Sequence, residues 1–159
     1  MSIHFSTGTQ VGQAQNHVHV YRTSKFDVSA SANSFQTIPD LGTSDLTMAV
    51  ANSTIVYWFD LSTETDNANG HGIARTQYST NSGSSWTTHQ VFNHTGNQDN
   101  AVGTSCHGVH SPSLAAGQTY RLRVQYARTS SGGGNHAIAD TGPGHSPIAR
   151  LTVMALEPN

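Results

Sequence analysis

Ile148-Ala149-Arg150-Leu151-Thr152-Val153-Met154-Ala155-Leu156, followed by Glu157, Pro158 and Asn159, is the stretch whose reading decides the fold. Side chains of a β-strand alternate between two faces. Leu151, Val153 and Ala155 fall on one face; Met154 and Leu156 fall on the other, beside Arg150 and Thr152. Apolar residues on both faces predict a strand that is covered on both. A second sheet of the same chain supplies one cover, and a second copy of the chain supplies the other. Thr54 to Leu61 repeats the pattern, with Ile55, Tyr57, Phe59 and Leu61 on one face and Val56 and Trp58 on the opposite one.

Outward from these two segments, helical periodicity is nearly absent. Short β-rich runs alternate with clusters of Gly, Asn, Ser and Pro. Val18–Tyr21 reads as an early strand. Ser34–Ile38 follows and is ended by Pro39-Asp40; Asp45–Val50 alternates and is ended by Asn52-Ser53. Ile73–Ser79 and Trp86–Asn93 form a hairpin around Asn81-Ser82-Gly83. Ser111–Gly117 leads into Thr119–Ala127, where Tyr120, Leu122, Val124 and Tyr126 alternate with Arg121, Arg123 and Gln125. Thr63–Gly72, Asn93–Gly103 and Ser130–Pro147 read as polar loops. The expectation is an all-β jelly-roll sandwich of two antiparallel sheets with about 8–10 strands. Residues 1–33 form an N-terminal arm and first strand, and residues 34–159 form the jelly-roll domain.

A chain of 159 residues suits one domain. Charged residues make up only 10%, against a usual quarter, and the net charge is -2 with His neutral. That balance gives no general basic surface, so nucleic acid is not an expected partner. No run approaches the roughly 18 apolar residues of a membrane span, and no signal peptide is recognisable, so no membrane partner is expected. The surface rests on Ser, Thr, Asn, Gln and Gly, which suits a chain held in a symmetric assembly.

The residues that carry chemistry form no catalytic set. The ten histidines include His17 and His19, which share a strand face, and His107 and His110, which read as loop residues. Neither pair completes the four-ligand pattern of a structural zinc site, so no metal or other cofactor is expected. Cys106 is alone and reads as a small hydrophobe or spectator thiol. No Gly-x-Ser-x-Gly elbow occurs, and seven Asp and two Glu offer no recognisable pair for glycoside hydrolysis. The expectation is therefore no enzyme. Arg121, Arg123 and Gln125 share a face, either as an exposed surface or as a cluster that meets an acidic partner. Ser79-Thr80-Asn81-Ser82-Gly83-Ser84-Ser85-Trp86 resembles the Asp-box of sialidases, with Asn81 in the Asp position. A single copy implies a braced hairpin and not sialidase activity.

From Phe35 onward the chain resembles the tumour-necrosis-factor-like or C1q-like jelly-roll domains of tailed-phage structural proteins. The resemblance rests on Phe35–Leu41 before a Thr-rich strand, the hydrophobic strand Thr54–Leu61, the Ser79–Thr87 hairpin, Ala115–Tyr126, a Gly-rich loop and the terminal Arg150–Leu156. It implies a homotrimer in which the last strand belongs to the sheet that faces the three-fold axis. Trp58, Tyr126, Met154 and Leu156 are then the trimer-interface residues. It also implies a capsid decoration (cement) protein, made in the host cytoplasm and placed on the capsid surface of the virion. Its partners are itself and major capsid protein. Phe5, His17, His19 and Tyr21 are the expected capsid contacts, because the short arm is too short for a fibre shaft and the chain stops three residues after its last strand. The alternative is a receptor- or carbohydrate-binding tip of a short tail or head fibre, with Tyr78, Trp86 and the loops 63–72 and 93–103 lining a sugar site.

Overall fold

The computed structural model describes residues 2–4, 10–29, 31–65, 71–95, 102–129, 136–138 and 149–158. Every regular element among them is a strand: β1 (Ser2–His4), β2 (Gln10–Arg22), β3 (Phe26–Val28), β4 (Gln36–Gly42), β5 (Leu46–Thr47), β6 (Thr54–Thr65), β7 (His71–Ser79), β8 (Thr87–Thr95), β9 (Val102–His110), β10 (Thr119–Arg128), β11 (His136–Ile138) and β12 (Ala149–Leu156). They form two antiparallel sheets packed as a jelly-roll sandwich.

The first sheet is built around β12, which lies between β2 and β6. Val153 faces Val18 on one side and Tyr57 on the other. β9 runs along the far flank of β6, from Ile55 to Thr63. β11 continues the line of β12 against Thr63–Thr65, and β3 pairs with β11. The second sheet runs β4-β10-β7-β8, with β5 also on β10. The alternation seen in sequence now has its cause. Leu151, Val153 and Ala155 from β12, and Ile55, Tyr57 and Phe59 from β6, face the second sheet at 0% exposure. Leu122, Val124 and Tyr126 of β10 face them from the other side, also at 0%.

The structure departs from the sequence reading in several places. The first strand is longer than Val18–Tyr21: β2 starts at Gln10, and its residues 14–22 pair along the whole length of β12. Pro39-Asp40 does not end β4. It sits within an edge strand, where Pro deprives no neighbour of a donor, and the pairing with β10 shifts register there, with Asp40 at φ 65°. Asp45–Val50 contributes only the two residues of β5. Val102–His110 and His136–Ile138 are strands where loops were expected.

Two tyrosines explain why some strand residues are glycine. A Cβ at Gly108 of β9 would overlap the Tyr57 hydroxyl, and one at Gly72 of β7 would overlap the Tyr126 hydroxyl. Each ring fills the space that a side chain would otherwise take. Gly108→Ala should therefore cost about 1–3 kcal/mol, the usual penalty of forcing extra volume into a packed core. Gly103→Ala, on the same strand with open space around its Cβ, should stay within about 0.5 kcal/mol of the parent. Urea unfolding of both variants checks the pair; equal losses would contradict the steric account.

Candidate assembly interface

The register of the first sheet arranges its outward face in three rows. Tyr21, Arg150, Asp60 and Ser105 stand opposite one another across β2, β12, β6 and β9. His19, Thr152, Trp58 and His107 form the next row, and His17, Met154, Val56 and Val109 the third. Leu156 lies opposite Thr54 beyond them. The first row is polar and internally satisfied. Arg150 Nε and the Ser105 hydroxyl both donate to the Asp60 carboxylate. Burial opposes ionisation of Asp60, but these two donors outweigh it and hold its pKa below the usual value. In the second row His19 Nδ1 lies 2.7 Å from the Thr152 hydroxyl. The third row is apolar apart from His17.

Large apolar side chains are left open on this face. Trp58 is 39% exposed, Val109 60% and Tyr21 61%. Met154 and Leu156 are half-buried. A groove at the β2 margin is lined by His19, Val20, Tyr21, Asp40 and Gly42, and Arg22 closes it by an ion pair with Asp40 at 2.8 Å.

The residues singled out from sequence are thus redistributed. Trp58, Met154 and Leu156 do share one outward face, and His17, His19 and Tyr21 join them on it instead of forming a separate surface. Tyr126 does not belong with them. It faces the core at 0% exposure, with its hydroxyl 2.9 Å from His136 Nδ1, because an even-numbered residue of β10 points between the sheets. Phe5 lies outside the described residues. Val109 escaped the sequence reading and His107 was placed in a loop, because Gly103, Ser105 and Gly108 gave their segment the texture of a loop. The same error hid that His107 and His110 lie on opposite faces of a strand. No group of three or more metal-ligating side chains occurs among the described residues.

The densest set of titratable groups lies elsewhere, where the edge strands β8 and β9 meet. His89 and His110 have ring centroids 4.4 Å apart. Tyr57 Oη lies 2.8 Å from His89 Nδ1, 3.1 Å from Gln90 Oε1 and 3.1 Å from Thr76 Oγ1. His110 Nδ1 lies 3.1 Å from the Tyr120 hydroxyl, and Tyr78 packs against both rings, 4.4 Å from His110 and stacked on Tyr120. Burial pushes the Tyr57 and Tyr120 pKa values up and the two histidine values down. Neutral imidazoles beside un-ionised phenols, with no carboxylate in the set, make a closure of the sandwich edge and a poor nucleophile. Cys106 is half-buried on the inward side of β9, its thiol pushed up by burial and by the charge of Asp60. The Asn81 hairpin is braced as its motif implies. Ser85 N–H donates to Asn81 Oδ1 at 2.9 Å, and Gly83 N–H donates to Ser79 Oγ at 2.9 Å.

The sequence matches no family model. No curated protein matches it either. Among solved structures the chain is similar to one in the structure of infectious bursal disease virus Gt strain, at TM-score 0.54 and 11% identity, over 100% of this chain and 46% of that one. It is similar to a chain of the infectious bursal disease virus VP2 subviral particle at TM-score 0.51 and 11% identity, over 94% and 44% of the two chains. The structure of Eiger TNF from S. frugiperda aligns at TM-score 0.46 and 11% identity, over 90% and 94%. This chain spans less than half the length of either viral chain. At such identities the likeness is one of fold.

The His89–His110 contact makes stability depend on pH. Both folded-state pKa values lie below the ordinary 6.5, so the unfolded chain binds more protons below that value. Stability is full above about pH 6.5 and falls as pH drops toward the folded values. Thermal unfolding across pH 5 to 8 should show this decline, and a His89→Gln, His110→Gln double variant should flatten it. An unchanged slope in the double variant would place the acid sensitivity elsewhere.

Proposed function

We propose that this chain is a homotrimeric structural protein of a virus particle, a capsid decoration protein of the tailed-phage kind with no enzymatic role. It associates through the outward face of its first sheet and binds major capsid protein. The observation that carries the reading is that face: Trp58, Val56, Val109, Met154 and Leu156 stand together in register, on a sheet whose other face is fully packed. Full burial of such a side chain is worth about 1.5–3 kcal/mol. These are already partly covered, so each contact alone is weak. A closed ring uses the face twice per subunit and sums several of them. The fold shared with chains of virus particles supports the assignment at the level of architecture.

Within that face, the apolar rows on β6, β9 and β12 take the sister subunits. His17, His19 and Tyr21, with the groove at the β2 margin, meet the shell. The fibre-tip reading has less support: most of its two loops lies outside the described residues, and its two aromatics are engaged within the sandwich. Arg123 covers Trp86 at 4.1 Å from the ring centroid, and Tyr78 is taken up by His110 and Tyr120.

Sedimentation equilibrium should give about three times the chain mass for the parent. Trp58→Asp and Val109→Asp should shift it to monomer while leaving the circular dichroism spectrum intact. Val91→Asp, exposed on β8 of the second sheet, should remain trimeric. A monomeric parent at 100 µM, or trimeric Asp variants, would falsify the interface. Gold-labelled protein should then decorate the head lattice of intact particles; label confined to the tail would refute the decoration role.

A further inference from the structure

The outward face of the second sheet carries a different chemistry. Arg123 of β10 stands opposite Gln77 of β7, and Gln125 of β10 opposite Arg75 of β7. The two arginines are therefore diagonal neighbours on adjacent strands, about 7–8 Å apart at the backbone. Arg123 donates through Nε and Nη2 to Gln77 Oε1 at 3.0 and 2.7 Å, and Arg75 donates through Nε to Gln125 Oε1 at 2.8 Å. An aromatic ring supports each guanidinium: Phe35 under Arg75 at 3.9 Å and Trp86 under Arg123 at 4.1 Å. The glutamines are anchored at their other ends, Gln125 Nε2 to Thr37 Oγ1 at 3.0 Å and Gln77 Nε2 to Thr88 Oγ1 at 3.3 Å.

This pair lacks what three other arginines of the sheets have. Arg121 is paired with Asp45, Arg22 with Asp40 and Arg150 with Asp60. Among the described residues no carboxylate pairs with Arg75 or Arg123. Burial lowers both pKa values, and the charge of Arg75 lowers that of Arg123 further. Like charges held side by side across strands destabilise a sheet. Here both are fixed in place by neutral partners only, and a guanidinium does not lose its proton to escape the repulsion. The remaining Nη hydrogens are donors, while both amide oxygens already accept. A surface of donors without free strong acceptors selects a charged acceptor over a neutral hydroxyl, which must also place its own proton.

We propose that Arg75 and Arg123 form a binding site for a tetrahedral oxyanion, a sulfate or phosphate group, either free or carried as an ester on a saccharide. Two oxygens of one such group bridge the two guanidinium groups and cancel their repulsion. The site is independent of the assembly proposed above, because it lies on the opposite sheet.

The full chain, labelled with nitrogen-15, tests this by the arginine Nε–H signals during titration with sodium sulfate, sodium phosphate or a heparin-derived tetrasaccharide. Sodium chloride at matched ionic strength is the reference. The Arg75 and Arg123 signals should shift saturably with the oxyanions and not with chloride, while ion-paired Arg22 and Arg121 stay still. Arg75→Gln and Arg123→Gln should each weaken binding by about tenfold or more, the worth of a charged hydrogen bond; Arg123→Lys should retain part of it. A tetrasaccharide bound at least about tenfold tighter than inorganic sulfate identifies the saccharide ester as the source, and equal affinities identify the free ion. If sulfate moves the two signals no more than chloride does, or if both Gln variants bind like the parent, the site does not exist.

Discussion

Everything on the first sheet depends on the register in which β12 is threaded between β2 and β6. Val153 sits opposite Val18 and Tyr57, and from that alignment every outward residue receives its neighbour. A slip of one residue would send Leu151, Val153 and Ala155 outward and drive Arg150 into the core. The burial of three fully covered apolar side chains on one face, together with the Arg150–Asp60 ion pair on the other, makes that slip unfavourable from both sides at once. The three outward rows are therefore a consequence of core packing and not of surface chemistry.

The two outward faces of the sandwich differ in kind. On the first sheet the charged groups are paired within their row, and the unfilled demand is apolar. On the second sheet guanidinium planes lie over Phe35 and Trp86, Val91 stays open, and the unfilled demand is chiefly electrostatic. A flat β-surface with satisfied charges and open Trp58 and Val109 suits another protein surface of similar chemistry. A flat surface with two unneutralised cations suits an anion. With the proposed assembly, this contrast would let one small domain hold a partner on one side while it presents a different chemistry on the other.

Much of the architecture was legible in the sequence because its strongest strands follow strict alternation. β6, β10 and β12, and the β7–β8 hairpin with its Asn81 turn, stand where period two and turn chemistry put them. The misreadings have a common physical cause. β9 was lost because Gly108 makes room for Tyr57 from a neighbouring strand, a reason that lies about fifty residues away in the chain and leaves no local trace. Val18–Tyr21 was legible as a strand, but the start of β2 was taken for an arm because its early residues are polar, and its place beside β12 comes from backbone pairing, which polar side chains do not announce. Tyr126 was assigned to an interface by analogy with other large residues, although its position in the alternation of β10 already pointed inward. Of the candidate face, Trp58, Met154 and Leu156 could be grouped from parity alone; that His17, His19 and Tyr21 lie beside them required the pairing of β2 with β12. The arginine pair was half visible, since Arg123 was marked but its true neighbour is Arg75, not Arg121.

The turn at Asn81 has a further consequence. Its side chain holds the tip of the β7–β8 hairpin through the Ser85 amide, and an amide carries no charge at any physiological pH, whereas the aspartate of the usual motif would lose its charge in acid. The Asn81 brace of the tip that carries Trp86 is thus built from groups that do not titrate. In an acidic compartment the two margins of the same small sheet would part company. The edge where His89 meets His110 would loosen, while the cationic face would keep its shape.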